Sequence, residues 1–146
     1  MEKEVNMTQD VFQHIFLDMF AIFEKTLNYH WNIESKSFRG LHKLLDEQYH
    51  DLLEQIDEFA EYIRAKKKRK IRMHCALMCK EHMTPIEPDF KDMEMVNDLV
   101  KNHELFVMYM KKEVDAMTDL VDQDVLVGLI KSHEKMAWML RSFLTS

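Results

Sequence analysis

The chain has 146 residues and suits one domain with a sizeable core, read here as a single unit over 1–146. Hydrophobic residues make up 47% and charged residues 32%, a globular balance that excludes a disordered polyelectrolyte. The net charge of −6 argues against nucleic-acid binding by the whole surface, and two glycines and two prolines are too few for a many-stranded fold.

Taken in chain order, the polar start MEKEVNMTQD lacks the apolar stretch of a secretory signal. Residues 8–33 carry Val11, Ile15, Phe16, Met19, Ile22, Phe23 and Leu27 at three- and four-residue spacings, which predicts a helix with Thr8 as its N-cap. Asp18 interrupts its longest apolar run, and no uncharged stretch approaches membrane-spanning length. A second helix is predicted from Phe38 to Arg64. A shorter helical segment follows over about 71–82. After Pro85 and Pro88 comes a third helix with Val96, Leu99, Val100, Phe106, Val107 and Met110 as its stripe. The fourth begins near Asp122, an N-cap candidate, and carries Val125, Leu129, Ile130, Met136, Met139, Leu140 and Phe143. Amphipathic helices of this length bury their stripes against one another, so the fold class is all-α, a four-helix bundle. The thirteen methionines sit mostly on these stripes and read as adaptable core filler rather than soft-metal ligands. Two cysteines make no disulfide framework, which points to a reducing cytoplasm.

The second helix carries the chemistry. At about 100° per residue, His42, Asp46, Asp57 and Glu61 fall within an arc of about 100° at the edge of the apolar face. Asp46 and Asp57 nevertheless lie about 16 Å apart along the axis, beyond the reach of one metal ion. Positions 42 and 61 share a midpoint with positions 46 and 57, between Asp51 and Leu52. Two copies of this helix packed antiparallel about a two-fold axis would therefore face His42 with Glu61, and Asp46 with Asp57, making two identical sites at once. An ordinary solvated acidic stripe gives the same arithmetic by coincidence and stands as the alternative.

The segment YHWNIESKSFRGLHKLLDEQYHDLLEQIDEFAE, residues 29–61, closely resembles the Dps family of mini-ferritins. The shared pattern is His30-Trp31-Asn32, His42 twelve residues after the first histidine, Asp46, and then Asp57 with Ala60-Glu61. Residues 133–144, HEKMAWMLRSFL, resemble the family's last helix. The resemblance implies a ferritin-like bundle with a short extra helix between helices two and three, assembled as a shell of twelve in the bacterial cytoplasm and in places associated with the nucleoid. It further implies that His30, His42 and Asp46 of one subunit join Asp57 and Glu61 of its two-fold mate to bind iron, two ions per site. The family oxidises Fe(II), with hydrogen peroxide preferred over dioxygen, and stores ferric mineral. Imidazole and carboxylate suit Fe(II), and a site with few protein ligands leaves positions open for oxidant and water. Trp31 is expected to pack near the site and to quench oxidising equivalents.

Other features carry competing readings. Glu47 and His50 form the Glu-x-x-His of larger ferritins, but no second copy exists, so a solvated Glu47 and an interface-lining His50 are expected. RAKKKRKIR, residues 64–72, holds seven basic residues in nine and replaces the family's usual Gly-containing turn. Lys66, Lys67, Lys68, Arg69 and Lys70 are candidate DNA contacts, with a solvated charged helix end as the plainer alternative. A basic N-terminal tail for DNA is absent, and Tyr62 stands where the family commonly has Arg. Cys75, Cys79 and His82 have spacings that fit Zn²⁺ or Cu⁺, against inert cysteines on a docking helix. Asp115, Asp119, Asp122 and Asp124 are candidates for the acid-lined iron-entry pore that the resemblance implies.

Overall fold

The computed structural model describes residues 10–71 and 86–144. Four long helices account for nearly all of this: α1 Val11–Asn32, α2 Phe38–Tyr62, α3 Asp92–Ala116 and α4 Leu120–Arg141, with a π-helical turn Ile63–Lys67 extending α2. No strand occurs among the described residues, so the all-α four-helix bundle expected from periodicity is the observed architecture. α1 packs against α2 and α3, and α3 against α4. The short helix expected over 71–82 falls mainly outside the described residues, as do Thr8, Cys75, Cys79 and His82. No helix among the described residues is long and apolar enough to cross a membrane.

The helix boundaries follow from capping chemistry. Asp10 sits in extended backbone and its carboxylate accepts the Phe12 N–H at 3.0 Å, satisfying a first-turn donor of α1. Asp119 does the same for α4, accepting from Val121 and Asp122. The sequence places this N-cap at Asp122; the structure moves it three residues earlier. Asp122 instead lies buried in the first turn, where the Tyr62 hydroxyl and Lys67 ammonium bind it. Both aspartates are plausible caps by residue type, and only the long-range partners from α2 decide between them. The π-turn ends at Lys68, whose φ of 55° is the only positive value at a non-glycine residue among those described.

Two apolar clusters fill the bundle. Ile15, Phe16, Met19 and Ile22 pack with Leu52, Ile56, Phe59, Phe106, Met110 and Leu126. Tyr29, Ile33, Leu41, Leu45, Val96, Leu99 and Leu140 form the second. Where one gives way to the other, α1 and α3 carry buried polar groups. The Lys25 ammonium lies 2.9 Å from Asp98, and the Tyr29 hydroxyl donates to the same carboxylate oxygen at 2.6 Å. Further along, His103 and His133 meet Nδ1 to Nδ1 at 2.9 Å with both rings buried. His133 Nε2 lies 3.0 Å from Gln55 Oε1, which accepts only, so His133 donates there and its Nδ1 accepts from His103. Desolvation pushes the His103 pKa down to about 3 and lowers that of His133 well below the ordinary value.

Candidate metal centre

The last turn of α1 and the first two turns of α2 are antiparallel neighbours joined by a five-residue connection, which brings His30 against His42. Their rings stack at 3.9 Å between centroids with 16° between planes. His30 Nδ1 lies 3.0 Å from the carbonyl oxygen of His42, and His42 Nδ1 lies 2.9 Å from the carbonyl oxygen of His30. A carbonyl can only accept, so both rings carry their hydrogen on Nδ1. In the neutral form each Nε2 then presents a bare lone pair, the state required of a metal-binding imidazole. The Phe38 ring stacks on the outer face of His42 at 4.8 Å and extends the pile.

Asp46, one turn beyond His42 on α2, brings Oδ1 to 3.9 Å from His30 Nε2. Its side chain is 46% exposed, against 11% for that of His30, so the group opens outward from a buried floor. Tyr49 lies beside it, its ring centroid 5.2 Å from that of His30. Desolvation, and then the charge of Asp46, raise the Tyr49 pKa and keep the phenol protonated. His50 donates Nδ1–H to the Asp46 backbone carbonyl at 2.8 Å and stacks on Tyr49 at 4.2 Å.

Asp57 and Glu61 are exposed further along α2, three to four turns from Asp46. Within one chain they do not join His30, His42 and Asp46. Among the described residues, no three His, Cys, Asp or Glu side chains of one chain converge to hold a metal ion. The same edge of the molecule leaves Trp31, Phe38 and Leu53 exposed at 67%, 43% and 49%, apolar surface that a partner would cover. Leu53 and His50 straddle the midpoint shared by the two ligand pairs. Glu47 is exposed, as expected of a solvated charge.

The basic run and the pore candidates are partly engaged with each other. Lys66 bonds Asp119 at 2.7 Å, Lys67 bonds Asp122 at 2.6 Å, and Arg69 pairs with Asp10. The hydrogen bond to Asp119 raises the Lys66 pKa, and the same bond holds Asp119 down at about 2. Lys68 and Lys70 are exposed, as are Asp115 and Asp124. The sequence reading treats the run and the four aspartates as separate surfaces, because residues so distant along the chain give no local sign of pairing. It also passes over Tyr49, whose only signal is its place three residues after Asp46 on the same helix. Lys25, Asp98, His103 and His133 were equally unmarked, since polar residues on an apolar stripe announce burial only through their partners.

Comparison with known proteins agrees with the four-helix fold. The ferritin-like domain family matches residues 9–146. A low temperature-induced protein of Nostoc, itself uncharacterized, is 36% identical over 135 residues, covering 87% of this chain and 74% of that protein. A Bacillus anthracis protein named DNA protection during starvation protein 2 is 28% identical over 130 residues, covering 87% of this chain and 89% of its own. Among solved structures, Dps from Thermosynechococcus elongatus superposes with a TM-score of 0.85 at 24% identity, over 96% of this chain and 89% of that one.

Proposed function

This chain belongs to the ferritin-like family, in its Dps branch, and from that premise we propose that it oxidises and stores iron. Fe(II) is the substrate, taken up at a site assembled between two subunits. His30, His42 and Asp46 come from one, and Asp57 and Glu61 from its two-fold mate. The observation that carries this reading is the reciprocal bonding of His30 and His42, which commits both Nδ1 atoms and leaves both Nε2 atoms available, that of His30 at 3.9 Å from Asp46 Oδ1. The exposed apolar edge along α2 supports the two-fold pairing. Repetition of that pairing fits a hollow shell of twelve subunits that holds ferric mineral.

Two Fe(II) ions held together each give one electron to hydrogen peroxide. The O–O bond breaks, both oxygens leave as water or hydroxide, and no hydroxyl radical is released. Peroxide is the preferred oxidant on this reading by resemblance to the family, and pairing two irons lets it take both electrons without a single-electron step. The protein supplies neutral imidazoles of fixed tautomer, carboxylates that offset the metal charge, and open positions for the oxidant. Trp31, next to His30 in the chain and 67% exposed, would quench oxidising equivalents that escape. The setting is the bacterial cytoplasm, where the iron chemistry protects against oxidative damage.

A DNA-binding role through residues 64–72 is the second reading, favoured by the name of the Bacillus relative. The carboxylates that engage Lys66, Lys67 and Arg69 weigh against it as the leading one.

The test is anaerobic Fe(II) loading followed by peroxide, with ferric absorbance followed in the parent and in His30→Ala/His42→Ala. Prompt oxidation with a soluble ferric core in the parent alone supports the ferroxidase. Equal, slow oxidation in both overturns it.

A further inference from the structure

We infer that Phe38 is a positioning residue of the proposed iron site, fixing the plane in which the His42 imidazole presents its Nε2 to the metal. This rests on the ferroxidase reading above and concerns a residue that lies outside its ligand set.

One hydrogen bond is too little to place an imidazole. His42 Nδ1 lies 2.9 Å from the His30 carbonyl oxygen, which fixes one corner of the ring. The ring can still hinge about that corner, because the last torsion of a histidine side chain is broad. Its plane is settled by the rings on its two faces. His30 stacks on one at 3.9 Å with 16° between planes, and Phe38 on the other at 4.8 Å with 22°. His42 is thus the middle member of a near-parallel pile of three. Its inner neighbour is well anchored, since His30 is buried, bonded to the His42 carbonyl and packed against Tyr49. Phe38 is what covers the outer face.

Its place in the chain suits Phe38 to this. It is the first residue of α2 and stands one turn before His42, as Asp46 stands one turn after. The three line one side of the helix, with the phenyl ring at one end of the row and the carboxylate at the other. A phenyl ring has no donor or acceptor group, so it covers the imidazole without competing for Nε2 or for the metal. An aliphatic side chain would fill the space but offer no flat surface to stack on. Phe38 is also 43% exposed, on the edge where Trp31 and Leu53 stand open. A two-fold mate seated there would press the pile from outside as it brings Asp57 and Glu61 to the site. The setting of His42 is then coupled to the pairing of subunits.

Co(II) provides the test, because it takes the same nitrogen and oxygen ligands and its visible absorption reports coordination without any oxidation step. The assembled protein is titrated anaerobically as the parent, Phe38→Leu, Phe38→Tyr, His42→Ala, Phe38→Leu/His42→Ala and His30→Ala/His42→Ala. Phe38→Leu keeps an apolar side chain and removes the flat ring, whereas Phe38→Tyr keeps the ring. The expected result is Co(II) binding weakened about three- to tenfold by Phe38→Leu, the range an aromatic pair contributes, with a shifted visible band. Phe38→Tyr should retain the parent band. In the His42→Ala background Phe38→Leu is expected to have no further effect, which separates action through His42 from general loosening of the fold. If Phe38→Leu does not assemble, Phe38→Met takes its place in the same comparison. An unchanged affinity and band in the variant without the ring overturns the inference, as does an equal effect in both backgrounds. If Co(II) binding by the parent is indifferent to loss of His30 and His42, the iron-site reading itself falls and this inference with it.

Discussion

His30 and His42 hold each other's place: each ring nitrogen Nδ1 bonds the backbone carbonyl of the other residue, at 3.0 and 2.9 Å. Removing either imidazole unfastens the other. His30→Ala and His42→Ala are each expected to weaken Co(II) or Fe(II) binding nearly as much as the double variant. Isothermal titration of the three would show this as strong non-additivity, and independent, additive losses would speak against the reciprocal lock.

A site divided between subunits makes a distinctive demand on mixed assemblies. One variant lacks the histidines (His30→Ala/His42→Ala) and the other the carboxylates (Asp57→Ala/Glu61→Ala); each alone is expected to be inactive. Unfolded together and reassembled, they restore about a quarter of the sites, because a mixed two-fold pair holds one intact site and one doubly defective one. Peroxide-dependent Fe(II) oxidation of the mixture would check this. No recovery, in shells shown to be mixed, would mean that the ligands do not cross the interface.

Stability is expected to fall on acidification before the carboxylates titrate. His103 is buried and neutral, with its pKa held at about 3, and His133 is lowered in the same direction. The unfolded chain binds protons at both below about pH 6.5 while the folded chain does not. This contribution is therefore complete above about pH 6.5 and is lost as pH falls toward 3, at up to about 1.4 kcal/mol per unit for each ring. Melting temperature measured from pH 8 to 5 should drop over the lower part of that range. The fall should be shallower in a His103→Leu/His133→Leu variant.

The ion pair of Lys25 with Asp98 lies in the bundle interior, with side chains 6% and 5% exposed. Lys25→Met leaves a buried carboxylate without its cation and is expected to cost about 3–5 kcal/mol. Adding Asp98→Asn removes the orphaned charge while keeping an acceptor for the Tyr29 hydroxyl, and should return part of the loss. Chemical denaturation of the two variants decides the point; equal stability would show that the charge is not the source of the penalty.

The clasp between the basic run and α4 bears on DNA. Asp119→Asn retains a side chain that caps a helix N-terminus, yet removes the charge that holds Lys66. Combined with Asp122→Asn, it frees Lys66 and Lys67 and is expected to tighten low-salt binding to duplex DNA while steepening its salt dependence. Gel retardation at several salt concentrations would reveal it. Unchanged retardation would show that these lysines do not face the nucleic acid.

Much of the fold was legible because helix periodicity is a local property: the stripes of α1 through α4 lie in the sequence at three- and four-residue spacing. The end of α2 was less so. Arg64 marked its expected limit, whereas Lys67 closes the π-turn, because the carboxylates of α4 draw the lysines inward. His42 and Asp46 were readable as ligand candidates from their stripe on α2, and His30 only through the family resemblance; in the structure His30 stacks on His42 and its Nε2 lies 3.9 Å from Asp46 Oδ1. Asp57 and Glu61 remain apart from them in a single chain, so their role rests on symmetry that one chain cannot display. Tyr49 was invisible, since a phenol on a helix flank has no signature until its neighbours are known.

The division of the candidate ligands along α2 also sets an order of events in time. A newly made chain carries His30, His42 and Asp46 at one end of the stripe, and Asp57 and Glu61 several turns away. On the ferroxidase reading, such a chain alone would be a poor host for iron and a poor catalyst of uncontrolled peroxide chemistry. Reactivity would arrive only with a mate. The protein would then be harmless while scattered and become competent at the moment a compartment to receive the product is being built.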